Sequence, residues 1–353
     1  MTATGAARLA RVELDPLHDP RWPDLLERAG DATAFHHSAW LALVHRTYGY
    51  DMTACCVTGD GGRLLAGLPV ARVASRLTGR RLVAVPFSDL CPPLVACDAP
   101  PKAGPALVAA LRSLQERRGL PLEVRGTGGI LGDAAPGMRY RHHVLALGPD
   151  VAAVERRFAK PQIARGVRRA RREGLHTALR VDRAALETFY RLHLATRRRL
   201  GVPTQPRGFV MGFERLFAEG IGFVLEVRHE ERVIAAAVFL TAGDTLLYKY
   251  GASDERFLGL RPNNLLFMEA IRWGCEHGKR RLDFGRTDWD HESLRAFKLA
   301  WGAEELELQY RHLGGGAPGW RSARNERVLA SIIRRSPPTT GRVLGEVLYR
   351  HAG

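Results

Sequence analysis

A strand–turn–strand unit occurs twice in this chain, and that repetition constrains the fold more than any other feature. The first copy runs from Thr53 to Val70, where two β-rich runs flank Gly59-Asp60-Gly61-Gly62. Glycines and an Asp between such runs specify a hairpin. The second copy runs from Phe223 to Leu240, with a polar turn at His229 to Arg232 and small residues, Ala235 to Ala237, in its second strand. Each copy follows a helical stretch and precedes a further strand. A chain of 353 residues exceeds what one compact domain usually holds. The expectation is an α+β (α/β) protein with two domains of one plan, each a mixed sheet flanked by helices. The expected division is 1–150, 151–313 and a tail, 314–353. Gly148-Pro149-Asp150 is the junction, and a Gly-rich stretch from Gly314 to Gly319 is the linker.

Periodicity and breakers predict helices over 24–46, 105–119, 206–220, 263–277 and 293–299. Strands are expected at 121–125, 144–147, 246–251, 281–284 and 305–310.

Charge narrows the partners. Lys plus Arg number 53 against 37 Asp plus Glu, a net +16. Such an excess favours polyanions: nucleic acid, anionic lipid or phosphorylated substrates. No run approaches the ~18 apolar residues that span a bilayer. The start of the chain lacks the apolar core of a signal peptide. The five cysteines form no C-x-x-C pair, so reduced thiols in a cytoplasmic protein are expected, with no metal and no resident cofactor.

Three constellations carry the chemistry. The first is 156–172, with eight cations in seventeen residues and no acid among them. A helix of one sign repels itself unless an anion lies against it. Lys160, Arg165, Arg168, Arg169 and Arg172 are therefore nominated for phosphate or RNA contact, with Ile163 and Val167 as the docking stripe. Arg197 to Arg199 extend the same charge. The second is Tyr248-Lys249-Tyr250-Gly251 followed by Arg261-Pro262-Asn263-Asn264. Strand alternation sends Tyr248 and Tyr250 to one face and Lys249 to the other. Asn263 is a candidate helix cap, facing either an anion or simply its own helix. The third is Asp283-Phe284-Gly285-Arg286-Thr287, then Phe297-Lys298. Arg286 and Thr287 are expected at a sheet edge. Lys298 is one of only five lysines in an Arg-rich chain, and a compact ammonium suits a developing oxyanion. A surface lysine on a short helix is the plainer alternative.

The order of hairpin, basic helix, Tyr-Lys-Tyr-Gly-Ala-Ser, Arg-Pro-Asn-Asn-Leu-Leu, Asp-Phe-Gly-Arg and Phe-Lys-x-x-Trp-Gly-Ala resembles the Fem (FemAB-like) transferases. The resemblance covers roughly Phe35 to Leu313 and is most specific from Tyr248 to Ala303. It implies two tandem GNAT-like domains. It also implies an activity that moves an amino acid from aminoacyl-tRNA to an amine of a peptidoglycan precursor. Phe297-Lys298 matches the family pair at the acyl-transfer centre, Tyr250 falls on the active-site strand, and Lys160 to Arg172 matches a basic helical region. The chain lacks the heptad run of a coiled-coil arm, as the shorter members do. An acetyl-CoA enzyme of GNAT type holds pyrophosphate with Arg/Gln-x-x-Gly-x-Gly/Ala. Here Arg256-Phe-Leu-Gly259-Leu ends in Arg261, whose side chain obstructs close approach of the backbone.

The expected catalytic set is thus Lys298, Tyr250 and Arg286. Phe297, Tyr248, Asn263, Asn264, Thr287 and the basic helix are expected to bind donor and substrate. The partners are an aminoacyl-tRNA or acyl-CoA donor and an amine-bearing acceptor, lipid-linked ones included. Asp288 and His291 are general-base candidates only by nearness in sequence. Nothing suggests a covalent acyl-enzyme. An acyl-CoA-dependent N-acyltransferase and a non-catalytic RNA- or membrane-binding module remain as alternatives. The tail from Arg321 carries seven Arg against two Glu and two apolar sets at helical spacing. It fits either a peripheral contact with the inner face of the membrane or packing on the first domain.

Overall fold

The computed structural model describes residues 9–126, 129–315 and 330–352. Packing divides the chain into two compact units. The first comprises Met1–Arg139, Leu308–Pro318 and His351–Gly353, and the second Tyr140–Glu307 and Gly319–Arg350. Residues 140–150 therefore pack with the second unit rather than the first, because the strand containing them pairs with second-unit strands. Most of the supposed tail also belongs to the second unit.

The first unit contains β1 (Ala10–Leu14), α1 (Arg21–Arg28), α2 (Ser38–Tyr48), β2 (Asp51–Thr58), β3 (Leu64–Ser75), β4 (Gly79–Val83), β5 (Leu94–Val95), α3 (Ala103–Arg118) and β6 (Leu122–Val124). The predicted helix over 24–46 is two helices with a 3-10 turn at Ala34–His36 between them. The side chain of Thr33 accepts the Phe35 N–H there and fixes a fresh start. Side chains on β2 alternate between two cores. Cys55 and Val57 meet Leu107, Leu111 and Leu114 of α3, while Ala54 and Cys56 meet Trp22 and Leu25 of α1.

The second unit follows with β7 (Ala135–Ala146), α4 (Val151–Arg156), α5 (Gln162–Arg172), β8 (His176–Arg180), α6 (Arg183–Leu200), α7 (Arg207–Met211), α8 (Phe213–Ala218), β9 (Phe223–His229), β10 (Arg232–Ala242), β11 (Thr245–Ser253), α9 (Pro262–Glu276), β12 (Arg281–Asp288), α10 (Glu292–Ala300) and β13 (Glu304–Leu313). β7 enters this unit at Tyr140, and β13 leaves it after Glu307. Strand order in the second unit is β7-β12-β11-β10-β9-β8. β11 and β12 are parallel and the other pairs antiparallel, giving a mixed sheet.

Helix α9 covers one face of this sheet. It buries Leu265, Leu266, Phe267, Met268, Ala270, Ile271 and Cys275, so it is apolar nearly all round, as a helix packed on both sides must be. Its outer side receives α5 through Ile163, Val167 and Ala170. Gly166 lies so close to Asn264 that a Cβ there would stand 2.8 Å from the Asn264 amide. The other face carries α6, α7 and α8, with Phe189, Phe209 and Phe213 fully buried.

A last helix, α11 (Pro338–Ala352), packs against the loop after α6. Thr204 N donates to Gly341 O at 3.1 Å, and Tyr349 OH donates to Pro203 O at 3.2 Å. Up to Arg350 the described tail thus docks on the second unit, while His351 belongs to the first, its carbonyl accepting from Thr78 Oγ1 at 2.8 Å and its Nδ1 lying 2.9 Å from Ser75 Oγ. Val343 and Val347 of this helix remain exposed. Residues 321–329 of the proposed membrane contact lie outside the described residues. No described helix is long and apolar enough to cross a membrane.

Candidate functional site

β11 and β12 hydrogen-bond in parallel over only three residues, Thr245–Leu247 with Arg281–Asp283, and then separate. Tyr250 and Arg286 each lie three residues beyond the last pair and so stand at one level on either side of the opening. Such a crevice at the carboxyl ends of parallel strands is where open α/β sheets place their ligands.

Both strands are irregular at this level. On β11, Val238 pairs with Tyr250 but Phe239 pairs with Tyr248, leaving Lys249 as an extra residue. This bulge overturns the expected alternation. Tyr248 points to the α9 face, its ring 4.8 Å from Phe267. Tyr250 points to the opposite face, with Phe213 at 6.2 Å and His193 at 5.7 Å. Lys249 sits 5.1 Å over the Tyr250 ring. On β12, the register against β7 shifts between Asp283 and Arg286, with Gly285 at φ 71°. The Asp283 carboxylate accepts the Gly285 N–H at 2.7 Å and lies 3.1 Å from His142 Nε2.

Lys298 enters from α10 and is only 2% exposed, so the surface-lysine alternative fails. Its ammonium donates to Gly285 O at 2.8 Å and Arg286 O at 3.1 Å. Both acceptors lie where the register of β12 against β7 shifts, as pairing resumes at Arg286. Beside Lys298, Phe297 packs on Phe267 and Trp301. Burial pushes the Tyr248 phenol up to about 12, so it is a hydrogen-bond donor at neutral pH.

Three nominated residues, Arg286, Thr287 and Asn263, are placed differently from expectation. β12 is an interior strand, since β7 pairs alongside it through Asp288. Thr287 is therefore buried, its hydroxyl 3.4 Å from His143 Nδ1, and Arg286 lies 4.3 Å over the Tyr140 ring. Asn263 is not the cap of α9. That position is taken by Arg261, in the left-handed conformation at φ 64°, followed by Pro262 at the first helical position. Asn264 faces Gly166 of α5 instead. Asp288 and His291 are both exposed at the end of β12.

The basic segment breaks at Lys160-Pro161 into α4 and α5. Lys160, Arg165, Arg168, Arg169 and Arg172 are all exposed. Arg169 stands 3.7 Å from Glu173, and Arg171 pairs with Glu269 at 3.1 Å. Lys160, Arg165, Arg168 and Arg172 make no ion pair among the described residues. With α5 lying against α9, this charge flanks the helix that starts at Arg261.

His143 and Glu305 were not nominated from the sequence. His143 Nε2 meets Glu305 Oε2 at 3.0 Å, and Arg295 holds that carboxylate with two bonds of 2.6 and 3.1 Å. The one available signal was the His142-His143 pair in a β-rich run, where a buried imidazole needs partners. Elsewhere, a concavity of about 1060 Å³ lies between α6, the β9–β10 turn and Ser253–Arg256. Arg199, Ser253 and Arg256, singled out in the sequence, line it, but none of the expected catalytic or binding set does. Of the groups that could hold a metal, no cluster of three or more occurs among the described residues.

Residues 156–293 match the family described as an acetyltransferase (GNAT) domain. FemX, a solved structure, superposes with a TM-score of 0.66 at 15% identity, covering 85% of this chain and 96% of that one. A tandem GNAT protein from the clavulanic acid biosynthesis pathway superposes at 0.50 with 15% identity, covering 87% and 99%. The fold is therefore GNAT-like, α+β, with mixed sheets flanked by helices. A lipid II:glycine glycyltransferase from Staphylococcus aureus is 36% identical over 85 residues, 22% of this chain and 20% of that protein. The chain thus aligns with about a fifth of the length of this curated relative. Together these matches bear out the resemblance read from the sequence, to the Fem family with its GNAT-like fold.

Proposed function

We propose that this protein is an amide-forming acyltransferase that moves an aminoacyl group from aminoacyl-tRNA to an amine of a peptidoglycan precursor. The observation that carries this reading is Lys298, a buried ammonium held by Gly285 O and Arg286 O where β11 and β12 part. A module that only binds RNA or membrane has no need of a buried ammonium there. The acceptor amine attacks the ester carbonyl, a tetrahedral oxyanion forms, and the C–O bond to the carrier breaks as the amide forms. The amine's proton leaves to solvent, and the carrier hydroxyl regains one. Lys298 stabilises the oxyanion, while Tyr250 and Arg286 position groups from the two strands. The match to a lipid II:glycine glycyltransferase supports the acceptor class. The proposed location is the cytoplasm, at the inner face of the membrane where a lipid-linked acceptor is reached.

The unpaired cations of α5 support a polyanionic donor, and Arg261 at the start of α9 argues against a tightly cradled pyrophosphate. The match to an acetyltransferase domain favours the second reading, an acyl-CoA donor. Incubating the enzyme with labelled aminoacyl-tRNA or acyl-CoA and an amine acceptor, with products read by intact mass, separates the two. Activity that survives ribonuclease and requires acyl-CoA overturns the first reading.

The basic helix gives a further expected outcome. Replacing Arg165, Arg168 and Arg172 by Glu should weaken binding of labelled tRNA. It should also flatten the dependence of log affinity on log salt by about 2 units, at roughly 0.7–0.9 per phosphate contact. Fluorescence anisotropy across a salt series measures it. An unchanged slope removes α5 from the donor site.

A further inference from the structure

Lys298 is held only as well as its acceptors are. Gly285 O and Arg286 O lie in a stretch of β12 where the ladder with β7 slips and the pairing with β11 has ended. The next residue, Thr287, is fixed by a side chain from β7. The His143 ring is fully buried and spans from the Thr287 hydroxyl to Glu305. An ionised carboxylate only accepts, so Nε2 carries the hydrogen and Nδ1 is left to accept from the threonine. Arg295 clamps Glu305 from its other side, and Arg141 stands 3.8 Å from the same carboxylate. The result is one oriented chain: Arg295 to Glu305, His143 to Glu305, Thr287 to His143.

From this geometry we infer that His143 is a positioning residue for Lys298: its ring, buttressed by Glu305, pins Thr287 and with it the carbonyls that receive the ammonium. The inference rests on the catalytic reading of Lys298 given above. The groups facing the ring are Lys298 from α10, Glu305 from β13, Thr287 from β12 and His142 beside it on β7. Burial first, and then the Lys298 charge, lowers His143 to about 4, against the pull of Glu305. A neutral ring is what the chain requires, because protonated Nδ1 would donate and could no longer accept from Thr287.

Two consequences can be measured. Between about pH 6.5 and about 4 the unfolded chain binds a proton that folded His143 refuses, so stability falls as pH drops through that window. The turnover of the wild type should also decline toward the lower end of that range, as the ring protonates. His143→Leu should lower kcat about tenfold or more with KM little changed, as misplacement of a catalytic group does. His143→Gln, whose amide can both donate to Glu305 and accept from Thr287, should recover most of kcat and lack the acid limb. Independently of any activity, the imidazole titration followed by NMR should move upward in Lys298→Met and downward in Glu305→Gln. An unmoved titration in Lys298→Met overturns the proposal. So does full kcat in His143→Leu, or an acid limb retained in His143→Gln. Failure of the catalytic reading itself would show differently, as transfer that survives Lys298→Ala while the His143 titration still responds to Lys298.

Discussion

Lys298→Ala should reduce kcat by about 10²–10³-fold, the usual effect of losing an oxyanion-stabilising donor. Binding of labelled tRNA should persist, because the exposed cations of α5 are untouched. Lys298→Arg should not rescue. A flat guanidinium is larger than an ammonium and cannot reach the Gly285 and Arg286 carbonyls in the same buried space. Removing the ammonium also leaves two carbonyls short of a partner, at about 1–3 kcal/mol of stability. Activity should therefore be read at a temperature where circular dichroism shows the variant folded. Transfer within a few-fold of wild type would end the role assigned to Lys298.

Phe267→Ala should destabilise the protein by about 3–5 kcal/mol, the range for emptying an aromatic core site. The ring is 4% exposed and touches Phe239, Tyr248, Phe284, Phe297 and Trp301. It joins three strands of the second sheet to α10, so its loss is felt on every side. Denaturant unfolding should show the change in the transition of the second unit, while the first unit, whose core shares none of these residues, keeps its own midpoint. Phe267→Leu should cost less, since most of the volume remains. A variant that unfolds like wild type would mean the cluster repacks freely.

Much of this was legible before the structure. The repeated hairpin announced two similar units because turn glycines and alternating apolar residues are local signals. β2 and β3, like β9 and β10, pair where the repeat placed them. α9 and α10 fall within a residue or so of their expected limits, for their apolar spacing is regular. What escaped was set by contacts distant in sequence. Alternation is a rule for unbroken strands, and the extra residue at Lys249 is visible only once β10 lies beside β11. Thr287 reads as an edge residue because its neighbour β7 comes some 140 positions earlier. Asn263 carries the chemistry of a cap, but Pro262 after a left-handed Arg261 starts the helix sooner. The partnership of His143 with Glu305 likewise joins residues 162 positions apart.

The extra residue in β11 is what parts the two tyrosines. With Lys249 bulged out, Tyr248 opposes Phe239 and Tyr250 opposes Val238, adjacent residues whose side chains leave opposite faces of the sheet. A shorter strand lacking residue 249 would close the bulge yet keep Tyr250 toward His193 and Phe213, so both substitution and removal of this lysine should be mild. Drawing Lys249 into the ladder is the damaging change, because it would turn Tyr250 to the Phe267 side and take the phenol away from the opening.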